Sequence, residues 1–190
     1  MPLPLIRWIA LVLVIAPLAA SCGSPGSGAP VSISYPVSGP VSAPSPSVLD
    51  SEELAFVGLL NSYRQQQGLV ALQLSASLTA ASQWLAQDMA ANNYLDHTDS
   101  LGRDFVTRLA DFGYAAAMVM GENVAAGNAE GQPTFTQWQN SPPHNANMLG
   151  ADYRALGVGR AYNAGSDYGW YWATDFGSTV DATLPLDQRK

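Results

Sequence analysis

From Asp50 onward the apolar positions recur first every three to four residues and later every two. Asp50-Ser51-Glu52-Glu53 opens the first regular stretch. Asp50 or Ser51 can cap a helix there, and two glutamates favour the positive end of its dipole. Leu54, Val57 and Leu60 follow at helical spacing, and Gly68 ends the element. A second helix opens near Ser75 or Ser77, carries Leu78, Ala81, Leu85 and Met89 as one apolar stripe, and dissolves at Asn92-Asn93. A third, shorter helix is expected over 103–112, with Phe105, Val106 and Leu109 inward and Gly113 as its stop. The period then changes. Residues 118–126 predict a strand interrupted by Gly121-Glu122-Asn123, and 134–140 a short helix around Trp138. Residues 154–162 and 168–176 predict two strands joined by the turn Asn163-Ala164-Gly165-Ser166-Asp167. Helices first and a hairpin last predict an α+β fold, helices packed on an antiparallel sheet. Trp138, Trp170 and Trp172 are expected in its core.

The chain before Asp50 has a different character. Arg7 precedes an almost wholly apolar stretch from Trp8 to Ala20. That stretch falls short of the roughly 20 residues a membrane-spanning helix needs and fits the core of a signal peptide, assigned to residues 1–21. It ends in Leu18-Ala19-Ala20-Ser21-Cys22, where small residues before a cysteine resemble the lipobox of bacterial lipoproteins. Cys22, the chain's one cysteine, is therefore the expected lipidation site, and a membrane anchored through it the expected partner. The alternative is a plain secretory signal and a secreted product. Residues 22–49 carry no charge and are rich in Pro, Ser and Gly, which predicts an extended linker rather than a packed unit. The organisation is thus leader 1–21, linker 22–49, domain 50–180 and tail 181–190.

Composition narrows the partners. Eight Lys and Arg against 15 Asp and Glu give a net charge of -7 over 190 residues. Such a surface repels phosphate backbones, so no nucleic acid is expected, and membrane contact should come from an anchor rather than a basic face. With a single cysteine no disulfide can form within the chain, and stability must come from core burial, for which 47% hydrophobic residues suffice.

Three segments carry candidate chemistry: 92–97, 121–125 and 138–149. They contain the chain's two histidines, His97 and His144, both read as lying in loops at element ends. Two imidazoles and a carboxylate make an open site for zinc or a similar divalent metal, so His97, Glu122 and His144 are the candidate metal and catalytic set. The alternatives are loop histidines hydrogen-bonded to backbone and a Glu122 that ties down neighbouring amides. Ser141 stands three residues before His144, with Asp175 elsewhere, but there is no Gly-x-Ser-x-Gly elbow and no phosphate-binding glycine loop.

These segments resemble the CAP superfamily (cysteine-rich secretory proteins, antigen 5 and pathogenesis-related proteins), and in particular its bacterial branch. The likeness runs through Leu60-Asn61-Ser62-Tyr63-Arg64, Tyr94-Leu95-Asp96-His97, Arg108, Gly121-Glu122-Asn123-Val124-Ala125, the stretch 138–149, Tyr153 and Tyr171-Trp172-Ala173-Thr174-Asp175-Phe176-Gly177. It implies a three-layer α-β-α sandwich with a central antiparallel sheet. It also implies a cleft lined by two histidines and two acids that binds a divalent metal in some members. His97 and His144 match the histidines, Glu122 matches the first acid, and Ser141 stands where the second acid usually lies. Asn123 and Asn147 match the motifs as residues that orient the site. Members are linked to sterol and lipid binding, to isolated proteolysis and to host interaction, so no single reaction follows.

The expectation is an exported protein at the cell envelope whose cleft binds a small apolar or lipid ligand or an envelope component. The alternatives are a metal-dependent hydrolase that uses His97, Glu122 and His144, and an envelope interaction protein with no ligand in the cleft.

Overall fold

The computed structural model describes residues 9–14, 48–114 and 119–184, the first of these as backbone only. Cys22 and nearly all of the linker lie outside the described residues.

Helix α1 (Ser51–Gln66) opens on Asp50, whose side chain accepts from the amides of Glu52 and Glu53 while Glu53 reaches back to the Asp50 amide. This reciprocal capping box satisfies amides that have no helical partner. Helix α2 (Ala76–Asn92) is capped by Ser75 and ends where Asn93 turns left-handed, φ 55°. Helix α3 (Phe105–Asp111) is capped by Asp104. The predicted stripe of Leu78, Ala81, Leu85 and Met89 is wholly buried.

The sheet is built around β3 (Val119–Ala126), β4 (Ala155–Tyr162) and β5 (Trp170–Gly177), all antiparallel. A two-residue β2 (Gln73–Leu74) runs parallel to β4 at one edge. At the other edge β1 (Ile9–Val14) runs antiparallel to β3, giving the order β1-β3-β5-β4-β2. Strand β3 is continuous through Gly121-Glu122-Asn123, so the expected interruption is not there.

Two layers of helix cover this sheet. On one face α1 packs with α4 (Gly131–Gln139) and α5 (Pro142–Met148) over Ala125, Leu156, Val158, Trp172 and Phe176. On the other, α2 and α3 cover Met120, Val124, Ala155, Tyr171 and Ala173. The result is the α-β-α sandwich of an α+β fold. Gly157 and Gly159 let α2 lie directly on β4, because a Cβ at either would sit within 2.4 Å of the α2 backbone. Trp138 and Trp172 are buried as expected, whereas Trp170 is only partly buried, beside the turn that joins β4 to β5. Among the described residues no helix is long and apolar enough to cross a membrane.

Candidate functional site

The site is organised by two consecutive residues of β3. Side chains alternate across a strand, so Glu122 faces the α2 layer and Asn123 faces the α5 layer.

Glu122 is wholly buried, and both of its oxygens are taken. His97 Nδ1 lies 2.7 Å from Oε1, and the Arg108 guanidinium forms an ion pair with Oε2. A carboxylate only accepts, so Nδ1 of His97 is the donor. His97 sits in the loop after α2, and Arg108 holds that loop by donating to the His97 carbonyl at 3.2 Å. Asp99 lies 3.8 Å from Arg108 and 2.8 Å from Arg103. Directly opposite Glu122 in the sheet is Asp175, also wholly buried, which accepts from Ser82 Oγ at 2.7 Å. Burial pushes Glu122 up to about 7 against the pull of Arg108. Burial, then the charge of Glu122, pushes Asp175 well above the usual carboxylate range. Two carboxylates facing each other in a dry site oppose each other's ionisation, which adds to the burial that raises Asp175.

The second group is built of amides and imidazole. Asn123 Nδ2 donates to the His144 carbonyl at 3.1 Å. Asn147 Nδ2 donates to the Glu122 carbonyl at 3.0 Å and to Asn123 Oδ1 at 2.8 Å. Ser141 is the N-cap of α5, yet its hydroxyl lies 2.7 Å from His144 Nδ1 and makes no cap bond to the helix. The local sequence explains this. Pro142 and Pro143 fill the first two helical positions and have no N–H, which leaves the His144 amide as the one ordinary cap donor, while the proline that follows holds Ser141 extended, φ -104° and ψ 112°. His144 also stacks on Trp138, centroids 6.2 Å apart. Gly121 is needed beside this group, since a Cβ there would meet Tyr153 Oη at 2.4 Å and Asn147 Oδ1 at 2.9 Å.

The six expected residues thus gather around β3, but as two groups rather than one ring. One sequence expectation is corrected: His144 lies in helix α5, not in a loop. Among the described residues no three His, Cys, Asp or Glu side chains are grouped to hold a metal ion. Glu122 is engaged by His97 and Arg108, and Nδ1 of His144 faces the Ser141 hydroxyl.

Sequence reasoning gave Arg108, Ser82 and Asp99 no role, and raised Asp175 only as an acid available to Ser141 and His144. The signal was there for two of them. Asp175 shares the period-2 face of Tyr171 and Ala173, and Arg108 shares the inward face of Phe105 and Leu109. A charge on a core-facing stripe calls for a buried partner.

Helices on both faces of a mostly antiparallel sheet, with a Gly-Glu-Asn strand between two histidine-bearing segments, define a small domain of one recognisable type. The model of the cysteine-rich secretory protein family, CAP, matches residues 57–176, and the chain belongs to that family. It is 32% identical over 114 residues to the uncharacterized protein YkwD of Bacillus subtilis, covering 60% of this chain and 44% of YkwD. It is 29% identical over 109 residues to the uncharacterized membrane protein YlbC of the same organism, covering 57% of this chain and 31% of YlbC. The chain therefore spans less than half the length of either relative. Among solved structures, an extracellular protein containing an SCP domain from Bacillus anthracis superposes with a TM-score of 0.60 at 26% identity, over 67% of this chain and 40% of that one.

Proposed function

We propose that the protein is exported, is anchored at the cell envelope through a lipid on Cys22, and uses the β3 cleft to bind a small apolar ligand or envelope component. One observation carries the binding reading: both oxygens of Glu122 are committed to His97 and Arg108. A general base must reach the proton it abstracts, and this carboxylate is engaged on both sides. What remains toward α5 is a buried, uncharged-amide and imidazole cluster of Asn123, Asn147, Ser141 and His144 beside Trp138, whose polar groups could orient a largely apolar ligand. The extracellular neighbour from Bacillus anthracis and the membrane protein YlbC support the exported location. The test is a titration of the purified chain with the fluorescent fatty acid cis-parinaric acid and with extracted envelope lipids. Saturable binding weakened by Asn147→Ala is expected; no saturable binding to either probe ends this reading.

Hydrolysis is the second reading. The contact between Ser141 Oγ and His144 Nδ1 at 2.7 Å favours it, because a hydroxyl beside an imidazole is how an activated nucleophile is built. It predicts covalent labelling of Ser141 by a fluorophosphonate probe. Without labelling or binding, an envelope interaction protein with nothing in its cleft is what stands.

A further inference from the structure

We propose that the outer edge of β3 is a strand-docking site, and that the cleft takes an extended apolar peptide by adding it to the sheet. This deepens the binding reading and rests on it.

The two edges of the sheet are built differently. At one, β2 is only two residues long, a short edge strand that gives another chain little to pair with. At the other, beneath β1, β3 runs unbroken for eight residues without proline or lysine. Its single charge, Glu122, is buried under α2 and α3, where it cannot guard the edge. Edges of that kind recruit strands unless something covers them.

The structure shows what kind of segment fits. Ile9–Val14 pairs with β3 antiparallel over its whole length, from Ile9 opposite Val124 to Val14 opposite Val119. The segment is uncharged and wholly apolar, Ile-Ala-Leu-Val-Leu-Val. Its register sets Ala10 opposite Asn123 and Leu11 opposite Glu122. A strand laid there runs beside α5, and successive residues of any strand face opposite sides of the sheet. Backbone hydrogen bonds supply affinity in this mode and alternate side chains supply selectivity. A neutral peptide meets no repulsion from a chain of net charge -7. Residues 9–14 belong to the stretch read from the sequence as an export leader, so any form of the chain cut after residue 21 presents this edge to a peptide from elsewhere.

Amide hydrogen exchange on β3 tests the proposal. In the full chain, replace Ala10 and Leu11 together by proline. Consecutive residues point their amides to opposite sides of a strand, so one of the two must face β3, and proline removes that donor. Alternate β3 amides should then exchange faster, by on the order of tenfold or more. A synthetic Ile-Ala-Leu-Val-Leu-Val peptide with flanking lysines should restore their protection saturably. A chain beginning at Cys22 is the second variant and should behave alike. Unchanged exchange in both variants, or no rescue by the peptide, overturns the proposal. So does a stable dimer of either variant with β3 protected, since the occupant would then be a second copy. If cis-parinaric acid still binds while the peptide fails, only the strand-docking proposal falls; if neither binds, the binding reading falls with it.

Discussion

The two faces of β3 solve opposite problems with neighbouring residues. Toward α2, Glu122 brings a charge into the core and is answered by Arg108 and His97, with the raised carboxyl of Asp175 opposite it. Toward α5, Asn123 brings only an amide, answered by Asn147 and the His144 carbonyl. A buried charge network is costly to break and tolerates little motion, whereas a neutral amide cluster can exchange partners with a ligand at modest cost. The contrast teaches a division of labour: the charged group fixes β3 and the His97 loop, and under the proposed function the neutral group is the one that meets a ligand.

The sharpest way to break this picture is at Arg108. Arg108→Met leaves Glu122 and Asp99 without their shared cation, and urea denaturation should show a loss of about 3–5 kcal/mol. A loss below about 1 kcal/mol would mean the network is not the anchor.

Next in size is pH. Burial, the leading cause at each group, raises Glu53 and Glu122 to about 7 from an ordinary 4.5, and raises Asp175 well above its usual range. The folded chain then holds more protons than the unfolded one between about 4.5 and 7. Stability is therefore greatest at the acid end of that window and falls as pH rises through it. Denaturation midpoints measured at both ends should differ in that sense, and Glu122→Gln should flatten the slope. A slope of the opposite sign would contradict the assigned protonation.

On the other face the expected effects are smaller. Asn147→Ala deprives the Glu122 carbonyl and Asn123 Oδ1 of a donor, a loss of about 1–2 kcal/mol in stability by urea denaturation. Smallest of all, a chelator should leave the thermal midpoint where it was, because the cleft residues are spent on one another. A clear drop on chelation would show that the two faces cooperate through a metal after all.

Much of this was legible in the sequence. Asp50 and Ser75 announced the helix starts, the stripe on α2 was complete, and the β4–β5 hairpin followed from its turn. What failed had physical reasons. Gly121 looked like a break in β3, but its missing side chain makes room for Tyr153 and Asn147 within an unbroken strand. Helix α5 was taken for a loop because of Pro142-Pro143, although proline is welcome in the first turn of a helix. The two-residue β2 carries no period to read. The six candidate residues lie around β3, but their division into two groups was not legible, because it depends on which face of β3 each neighbour approaches. The sequence pattern places Glu122 and Asn123 on opposite faces; only the fold says that α2 and α3 lie over one and α5 over the other.

The most direct test compares the two histidines, one from each group. Thermal melting and cis-parinaric acid titration of His97→Ala and His144→Ala, side by side, should separate them. His97→Ala should lower the melting temperature while keeping affinity within a few-fold of the parent, and His144→Ala should keep the melting temperature while losing binding. Equal loss of binding in both variants, with stability untouched, would contradict the account and make the two histidines parts of a single site.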